Sequence, residues 1–171
     1  YGVPDFLKVI GQGNIFNVVP VPGVIMAAVI AFGIILLNKT YLGRHFYALG
    51  SNAEATRLAG INVHFTRTTT YTLLGFLTGI AALVMLTRVG SGQPKIADGF
   101  EMNVLAACVL GGVSVNGGKG TIPGAIIGAV IIRVLNNGLS ITGANDYWPK
   151  VITGIVLFTV VVLDSIGRNR R

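Results

Sequence analysis

The chain has 171 residues, of which 52% are hydrophobic and only 11% are charged, whereas charged residues make up about 25% of an ordinary soluble domain. This composition excludes intrinsic disorder, and the single cysteine, Cys108, excludes a disulfide scaffold. The net charge of +7 is spread over short polar gaps between apolar runs, which predicts a polytopic membrane protein of the all-α class rather than a soluble enzyme or a nucleic-acid binder.

The first long apolar run covers residues 18–37 and contains no charge. Twenty residues in a helix are enough to cross the hydrocarbon core of a bilayer. Pro20 and Pro22 fall in the first turn, where a missing N–H costs little, and Lys39 closes the run. The sequence therefore predicts a transmembrane helix over 18–37.

The polar segment 38–67 is too long for a simple turn and too patterned for a linker. Asn52 is a good N-cap, and Glu54 would stand in the first turn, beside the positive end of the helix dipole. Gly60 is suited to end such a helix. The segment therefore predicts a two-turn helix over 52–60 on the membrane surface.

One face of this short helix is apolar. Ala55, Leu58 and Ala59 follow the i, i+3, i+4 spacing and share that face. The helix is either an idle interfacial element or a docking element for a cytoplasmic partner, and the pattern alone favours neither.

A second uncharged run covers 68–87 and predicts another transmembrane helix. The next two apolar runs, 102–115 and 121–135, are shorter, and the glycine-rich segment 116–120 breaks the chain between them. They are either two short spans or a re-entrant pair. The last apolar run, 148–163, predicts a further span.

Basic residues indicate the orientation, because cytoplasmic loops are rich in Lys and Arg. Eight would lie on one side: Lys39, Arg44, Arg57, Arg67, Lys119, Arg168, Arg170 and Arg171. Four would lie on the other: Lys8, Arg88, Lys95 and Lys150. The imbalance predicts five crossings with a cytoplasmic C-terminus, and five crossings favour two short spans over a re-entrant pair.

One basic residue, Arg133, lies inside the predicted span 121–135. Five crossings would place it near the outer end of the helix 121–135, where its side chain could extend to the interface. We interpret it as an interfacial anchor rather than as a substrate ligand.

Three glycines follow one another at intervals of four residues. Gly120, Gly124 and Gly128 would form a smooth stripe on one helix face. Such a stripe lets two backbones approach closely, so it predicts a tight helix contact and not a functional site.

No pattern in the chain predicts catalysis, a metal site or a cofactor. A phosphate-binding loop around Lys119 fails, because Val113 stands where its first glycine is required and Gly120 follows the lysine. His45 and His64 are far apart in the polar segment and have no partner ligands at metal-site spacing. No acidic residue lies deep enough in a predicted span to relay protons.

Three blocks of residues stand in a characteristic order along the chain. The first is Leu42-Gly43-Arg44, Tyr47-Ala48-Leu49-Gly50-Ser51-Asn52, Ala55 and Arg57-Leu58-Ala59-Gly60-Ile61-Asn62-Val63. The second is Ala106-Ala107-Cys108-Val109-Leu110-Gly111-Gly112-Val113-Ser114, Gly117-Gly118-Lys119-Gly120-Thr121, Gly124 and Gly128. The third is Leu135-Asn136-Asn137-Gly138-Leu139 with Tyr147-Trp148. Together they closely resemble the permease subunits of bacterial ribose-, galactose- and xylose-type sugar ABC importers.

The resemblance implies a transport subunit and not an enzyme. Two permease subunits, identical or different, would form a pathway for a monosaccharide across the inner membrane. A periplasmic sugar-binding protein would deliver the sugar, and a separate cytoplasmic ABC ATPase would hydrolyse ATP. Family members are longer, so the chain would be the C-terminal portion of such a subunit.

The resemblance also assigns roles to residues. Those implied to couple to the ATPase are Asn52, Glu54, Ala55, Arg57, Leu58, Ala59, Gly60 and Ile61. The uncharged polar candidates to line the pathway are Asn103, Ser114, Asn116, Asn136 and Asn137. Each of these five would equally suit a hydrogen bond to backbone or to another helix.

Two other classes of protein remain open. One is a channel or secondary carrier that acts without an ATPase, although the lack of a buried acid argues against proton coupling. The other is a structural subunit of a membrane complex, against which the asparagine pair and the glycine-broken segments argue.

Overall fold

The computed structural model describes residues 11, 13–15, 19–92, 95, 97–143 and 147–169, and the side chains of all of these except 14, 15, 19 and 163–169. Its contacts divide the chain into two compact units, residues 1–96 and 97–171. The side chains of Asp5, Lys8, Asp146 and the basic tail 168–171, which enter the charge pattern, lie outside the described set.

Helices dominate both units, which confirms the predicted all-α class. Two-residue strands β1 (Asn14–Ile15) and β2 (Val19–Pro20) pair antiparallel. The helices of the first unit are α1 (Val21–Lys39), α2 (Tyr41–Ser51), α3 (Ala53–Leu58) and α4 (Val63–Val89). Those of the second unit are α5 (Phe100–Leu110), α6 (Ile122–Ile141) and α7 (Tyr147–Asn169).

Within the described residues, α1, α4 and α6 are long and apolar enough to cross a membrane, while α5 and the 147–162 part of α7 are shorter apolar helices. The predicted run 68–87 lies inside α4, which begins five residues earlier. It begins earlier because Asn62 caps it, with the Phe65 N–H donating to Asn62 Oδ1 at 3.0 Å.

The chain turns sharply between α1 and α2. Thr40 connects the two helices: its Oγ1 donates to Leu36 O at 2.6 Å and accepts from the Gly43 N–H at 3.3 Å. Gly43 is buried, and a Cβ there would lie only 2.6 Å from Leu37 Cα. A side chain at this position would push α2 off the end of α1. The sequence predicted neither α2 nor the close contact between Gly43 and the end of α1.

In the second unit α5 and α6 form an antiparallel hairpin. The predicted span 102–115 is helical only to Leu110, because Gly112 takes a positive φ of 82° and the chain turns. The next helix does not stop at residue 135, as the apolar run predicted, but continues to Ile141. Thr121 caps its start and accepts from the Gly124 N–H at 3.2 Å.

The two hairpin helices touch backbone to backbone. A Cβ on Gly124 would collide with the Gly111 carbonyl oxygen, and a Cβ on Gly128 with the Ala107 carbonyl oxygen. The prediction that Gly120 shares this face is wrong, because the helix begins only at Ile122 and Gly120 lies in the preceding turn, against the Val113 side chain.

The last helix, α7, runs parallel to α5 and completes this unit. It extends past the predicted end at residue 163 to Asn169. The buried core consists of Ala106, Ala107 and Ile132, with Leu110, Val156 and Leu157 packed against it. Two helices therefore pack against α5. Helix α6 packs at the glycine contact, and α7 packs through Val156 and Leu157.

Because α6 continues to Ile141, Arg133 has a different position in its helix from the one that the sequence predicted. Arg133 is the twelfth of the twenty residues of this helix, so it lies near the middle and not near an end. The expectation that Arg133 lies near the outer end of its helix is therefore wrong. The apolar run ended at Leu135, but Asn136 and Asn137 continue the helix.

The backbone contact predicts opposite effects for two Gly→Ala substitutions in α6. Gly128→Ala should lower stability by about 1–3 kcal/mol, because the new methyl overpacks the α5 contact. Gly138→Ala, where a Cβ meets nothing within 4 Å, should be neutral or stabilising by up to about 1 kcal/mol. Thermal unfolding of the purified subunit in detergent measures both, and equal shifts would mean that α5 and α6 do not touch there.

Candidate functional site

The predicted surface helix exists as α3, and Asn52 caps it. Asn52 Oδ1 accepts from the N–H groups of Glu54 and Ala55 at 2.9 and 3.0 Å. Glu54 stands in the first turn and Arg57 in the last, each beside the dipole end that favours its charge. The cap and the charges hold this helix of six residues in one conformation.

The end of α3 is as sharply defined as its start. Gly60 adopts a positive φ of 81°, and its N–H donates to Arg57 O at 3.0 Å. The Ile61 N–H donates back to Thr56 O at 3.3 Å, which completes a Schellman motif. The predicted stop at Gly60 is confirmed.

The apolar face of α3 points away from the protein. Leu58 is 81% exposed, and Ala55 and Ala59 are exposed beside it. Nothing described covers these three side chains, which we call the α3 face. A leucine this exposed on a short, capped helix is suited to contact another protein.

Two buried threonines lie on either side of the turn between α3 and α4. Thr56 donates to Asn52 O at 2.7 Å, and Thr66, one turn into α4, donates to Asn62 O at 2.9 Å. Both threonines are at least 96% buried. Each capping asparagine thus accepts hydrogen bonds from the following turn with both its side chain and its carbonyl, which stabilises the start of each helix.

A cluster of uncharged polar side chains joins the three helices of the second unit. Asn103 Oδ1 in α5 accepts from Asn136 Nδ2 in α6 and from Thr153 Oγ1 in α7, both at 3.3 Å. Asn103 Nδ2 donates to Gly99 O, also at 3.3 Å. We call Asn103, Asn136 and Thr153 the polar cluster.

The hydrogen bonds of the polar cluster fix the orientation of its amides. The Gly99 carbonyl can only accept hydrogen bonds, so the NH₂ group of Asn103 faces it and the Asn103 oxygen faces Asn136. Asn136 must then present its own NH₂ group. This leaves Asn136 Oδ1 buried and without a donor among the described residues, a place for a water or a ligand hydroxyl.

A small cavity adjoins the polar cluster between α5 and α7. Its volume is about 150 Å³, and its lining includes Asn103, Thr153, Met102 and Leu157. Lys150, which also lines it, pairs with Asp98 at 3.3 Å, and both side chains are more than half exposed. The cavity therefore has a charged rim, and Asn103 and Thr153 are uncharged polar groups in a wall that is otherwise mostly apolar.

The structure separates the five predicted pathway residues. Asn103 and Asn136 meet in the polar cluster, whereas Ser114 and Asn116 lie in the turn between α5 and α6, at the opposite end of the hairpin. Asn137 is exposed on α6. The five residues therefore do not form one site.

Sequence reasoning missed two parts of this arrangement. Thr153 gives no sequence signal, since a threonine in an apolar helix commonly bonds its own backbone. Gly111 was visible as part of a glycine pair, but only the fold shows that it faces Gly124.

Comparison with known proteins gives consistent matches. Residues 2–161 match the family described as branched-chain amino acid transport system / permease component. The ribose import permease protein RbsC of Escherichia coli K12 is 42% identical over 147 residues, 86% of this chain and 46% of that protein. RbsC of Bacillus subtilis is 38% identical over 157 residues, 92% of this chain and 48% of that protein.

The xylose transport system permease protein XylH of Haemophilus influenzae is 36% identical over 157 residues, 92% of this chain and 42% of that protein. The chain thus spans about half the length of the curated relatives it matches. No solved structure matches it.

The polar cluster predicts that Asn103→Ala destabilises the second unit. The change leaves the Asn136 NH₂ group and the Thr153 hydroxyl without their acceptor, at a cost of about 1–3 kcal/mol. Asn137→Ala is the matched control, since Asn137 is exposed, and its effect should stay within about 0.5 kcal/mol. Thermal unfolding in detergent that shows equal stability for both variants would contradict the cluster.

Proposed function

The chain belongs to the branched-chain amino acid transport system / permease family, and on that basis we propose that it is the C-terminal part of the transmembrane subunit of an ABC importer for a monosaccharide. The substrate class follows from the relatives, whose names specify ribose and xylose. The subunit would form the translocation pathway in the bacterial inner membrane, and a separate cytoplasmic ATPase would supply the energy.

The observation that carries this proposal is the exposed α3 face. A transport subunit that hydrolyses no ATP itself needs a rigid contact through which ATPase motion reaches its membrane helices. Asn52 and Gly60 fix both ends of α3, and Leu58 is 81% exposed on it. The ATPase would bind this face in a groove of its own.

The anchoring of α3 supports its role in coupling. Only residues 59–62 join α3 to α4, and the Schellman motif at Gly60 and the Asn62 cap hold this turn in hydrogen bonds, so a force on α3 would reach α4 through an ordered connection. Since α4 has the length and composition of a membrane span, a push from the ATPase would move it as a rigid body.

The pathway would use uncharged polar groups, which suit a neutral sugar. Asn103 and Asn136 would close or line the pathway in the second unit. Ser114 and Asn116 would lie toward its inner end. Asn137 would face the pathway from α6. A periplasmic binding protein would deliver the sugar, and a second permease subunit would complete the pathway.

The proposed topology has five crossings with the C-terminus in the cytoplasm. Accessibility labelling of single cysteines at positions 51, 91, 145 and 165 in intact cells and inverted vesicles measures it. We expect positions 51 and 165 to react from the cytoplasmic side, and positions 91 and 145 from the outside, as the distribution of Lys and Arg predicts. Reaction of positions 51 and 91 from the same side would contradict the topology.

The proposed docking role predicts that Ala55→Glu abolishes ATPase binding. A carboxylate on the α3 face would be buried without a partner in the complex, so binding should weaken by at least about tenfold. Ala53→Glu is the matched control, because Ala53 is exposed on the opposite side of the same helix. Co-purification of the ATPase with each variant of the intact subunit measures binding, and sugar uptake measures the consequence.

Unchanged co-purification for Ala55→Glu would remove the docking role. Loss of co-purification for both variants would point to a general disturbance of α3 and would equally remove the assignment of the face. Arg57→Ala should have little effect, since an exposed ion pair is typically worth less than about 1 kcal/mol.

A further inference from the structure

A charged residue lies near the middle of a helix that is long enough to cross a membrane. Arg133 is eight residues before the end of α6, a rise of about 12 Å at 1.5 Å per residue. This is farther than an arginine side chain extends. Arg133 is exposed and forms no ion pair with any residue that the structure describes.

Arg133 does not stand alone on its face. Asn137 and Ser140 follow it at i+4 and i+7, so the three side chains lie in one line along α6. All three are exposed, and Ser140 Oγ bonds only back to Asn136 O at 3.1 Å. We call these three residues the polar stripe.

The exposed surface of α6 has two different parts. Beside the polar stripe, Ile127 and Val134 are 61% and 66% exposed and wholly apolar. A surface that faced only lipid would be apolar throughout, since a charge in the hydrocarbon region is costly. The division points to lipid or a protein partner on the apolar part, and to water on the polar stripe.

A second copy of the described residues could not neutralise Arg133. The acidic side chains among them are Glu54 on α3, and Asp98 and Glu101 at the start of α5. Asp98 is paired with Lys150 at 3.3 Å. None of these carboxylates stands near the middle of a helix that is long enough to cross a membrane. A second copy of the described residues therefore offers no carboxylate to Arg133, and its guanidinium needs water.

We propose that the polar stripe lines the outer half of a water-filled path through the membrane, and that Arg133 is the innermost hydrogen-bond donor to the passing sugar. This inference rests on the proposed function. A guanidinium offers five N–H donors and Asn137 offers both donor and acceptor, which fits the hydroxyl groups of a neutral sugar. The fixed positive charge would repel cations from the same path.

Cysteine labelling compares the two parts of the α6 surface directly. In the intact subunit, with Cys108 and any cysteine outside this chain replaced by alanine, single cysteines at Asn137 and Ser140 are compared with single cysteines at Ile127 and Val134. A membrane-impermeant methanethiosulfonate sulfonate applied from outside should label positions 137 and 140 at least about tenfold faster, because thiols react as thiolates in water. Ribose or xylose, supplied with the binding protein, should slow labelling at position 137.

Substitutions of Arg133 add a transport measurement. Arg133→Leu should insert normally but lower sugar uptake at least about tenfold, while Arg133→Lys, which keeps the charge and a donor, should retain more uptake. Val134→Leu is the control for packing and should leave uptake unchanged.

The outcomes separate this inference from the proposed function. If the cysteine-free subunit imports sugar with its ATPase and binding protein, but positions 137 and 127 label equally or Arg133→Leu transports normally, the polar stripe is not on the path. If the intact unmodified subunit imports no sugar under ATP, the proposed function itself is wrong, and with it the sugar path.

Discussion

The hydrocarbon core of a membrane offers no hydrogen-bond partners, and this constraint explains where the polar groups of the chain lie. Hydroxyl groups on its long helices bond the carbonyl one turn back, as Thr70, Thr78 and Thr159 do at 2.8–2.9 Å. Asn103 bonds three partners in three elements. Arg133 and Asn137 are the conspicuous polar groups on α6 that bond no described side chain, so their place in a membrane requires water or a protein partner.

Close backbone packing makes the polar cluster possible. The α5 and α6 backbones touch at Gly111, Gly124 and Gly128 because no side chain separates them. This contact lets the two helices lie against each other, and about two turns beyond Gly128 it brings Asn136 within bonding distance of Asn103. The helix contact and the polar cluster therefore depend on each other: glycine allows the approach, and the hydrogen bond selects the register.

Local signals were readable from the sequence, and long-range ones were not. Asn52 as a cap and Gly60 as a stop follow from backbone chemistry within a few residues, and both are confirmed. The middle position of Arg133 was missed because hydropathy falls at Asn136, although an interhelical hydrogen bond stabilises the helix beyond that point. The partners Thr153 and Gly111 could not be foreseen, because only tertiary packing pairs them with residues 13 to 50 positions away.

The most direct test of the transport role is reconstitution of the intact subunit with its ATPase and periplasmic binding protein in proteoliposomes. A panel of radiolabelled pentoses and hexoses is offered with and without ATP inside. If the chain forms the pathway of a sugar importer, at least one monosaccharide accumulates only with ATP and binding protein, and the loaded binding protein stimulates ATP turnover. Sugar entry that needs neither ATP nor binding protein, or no entry of any sugar, would contradict that role.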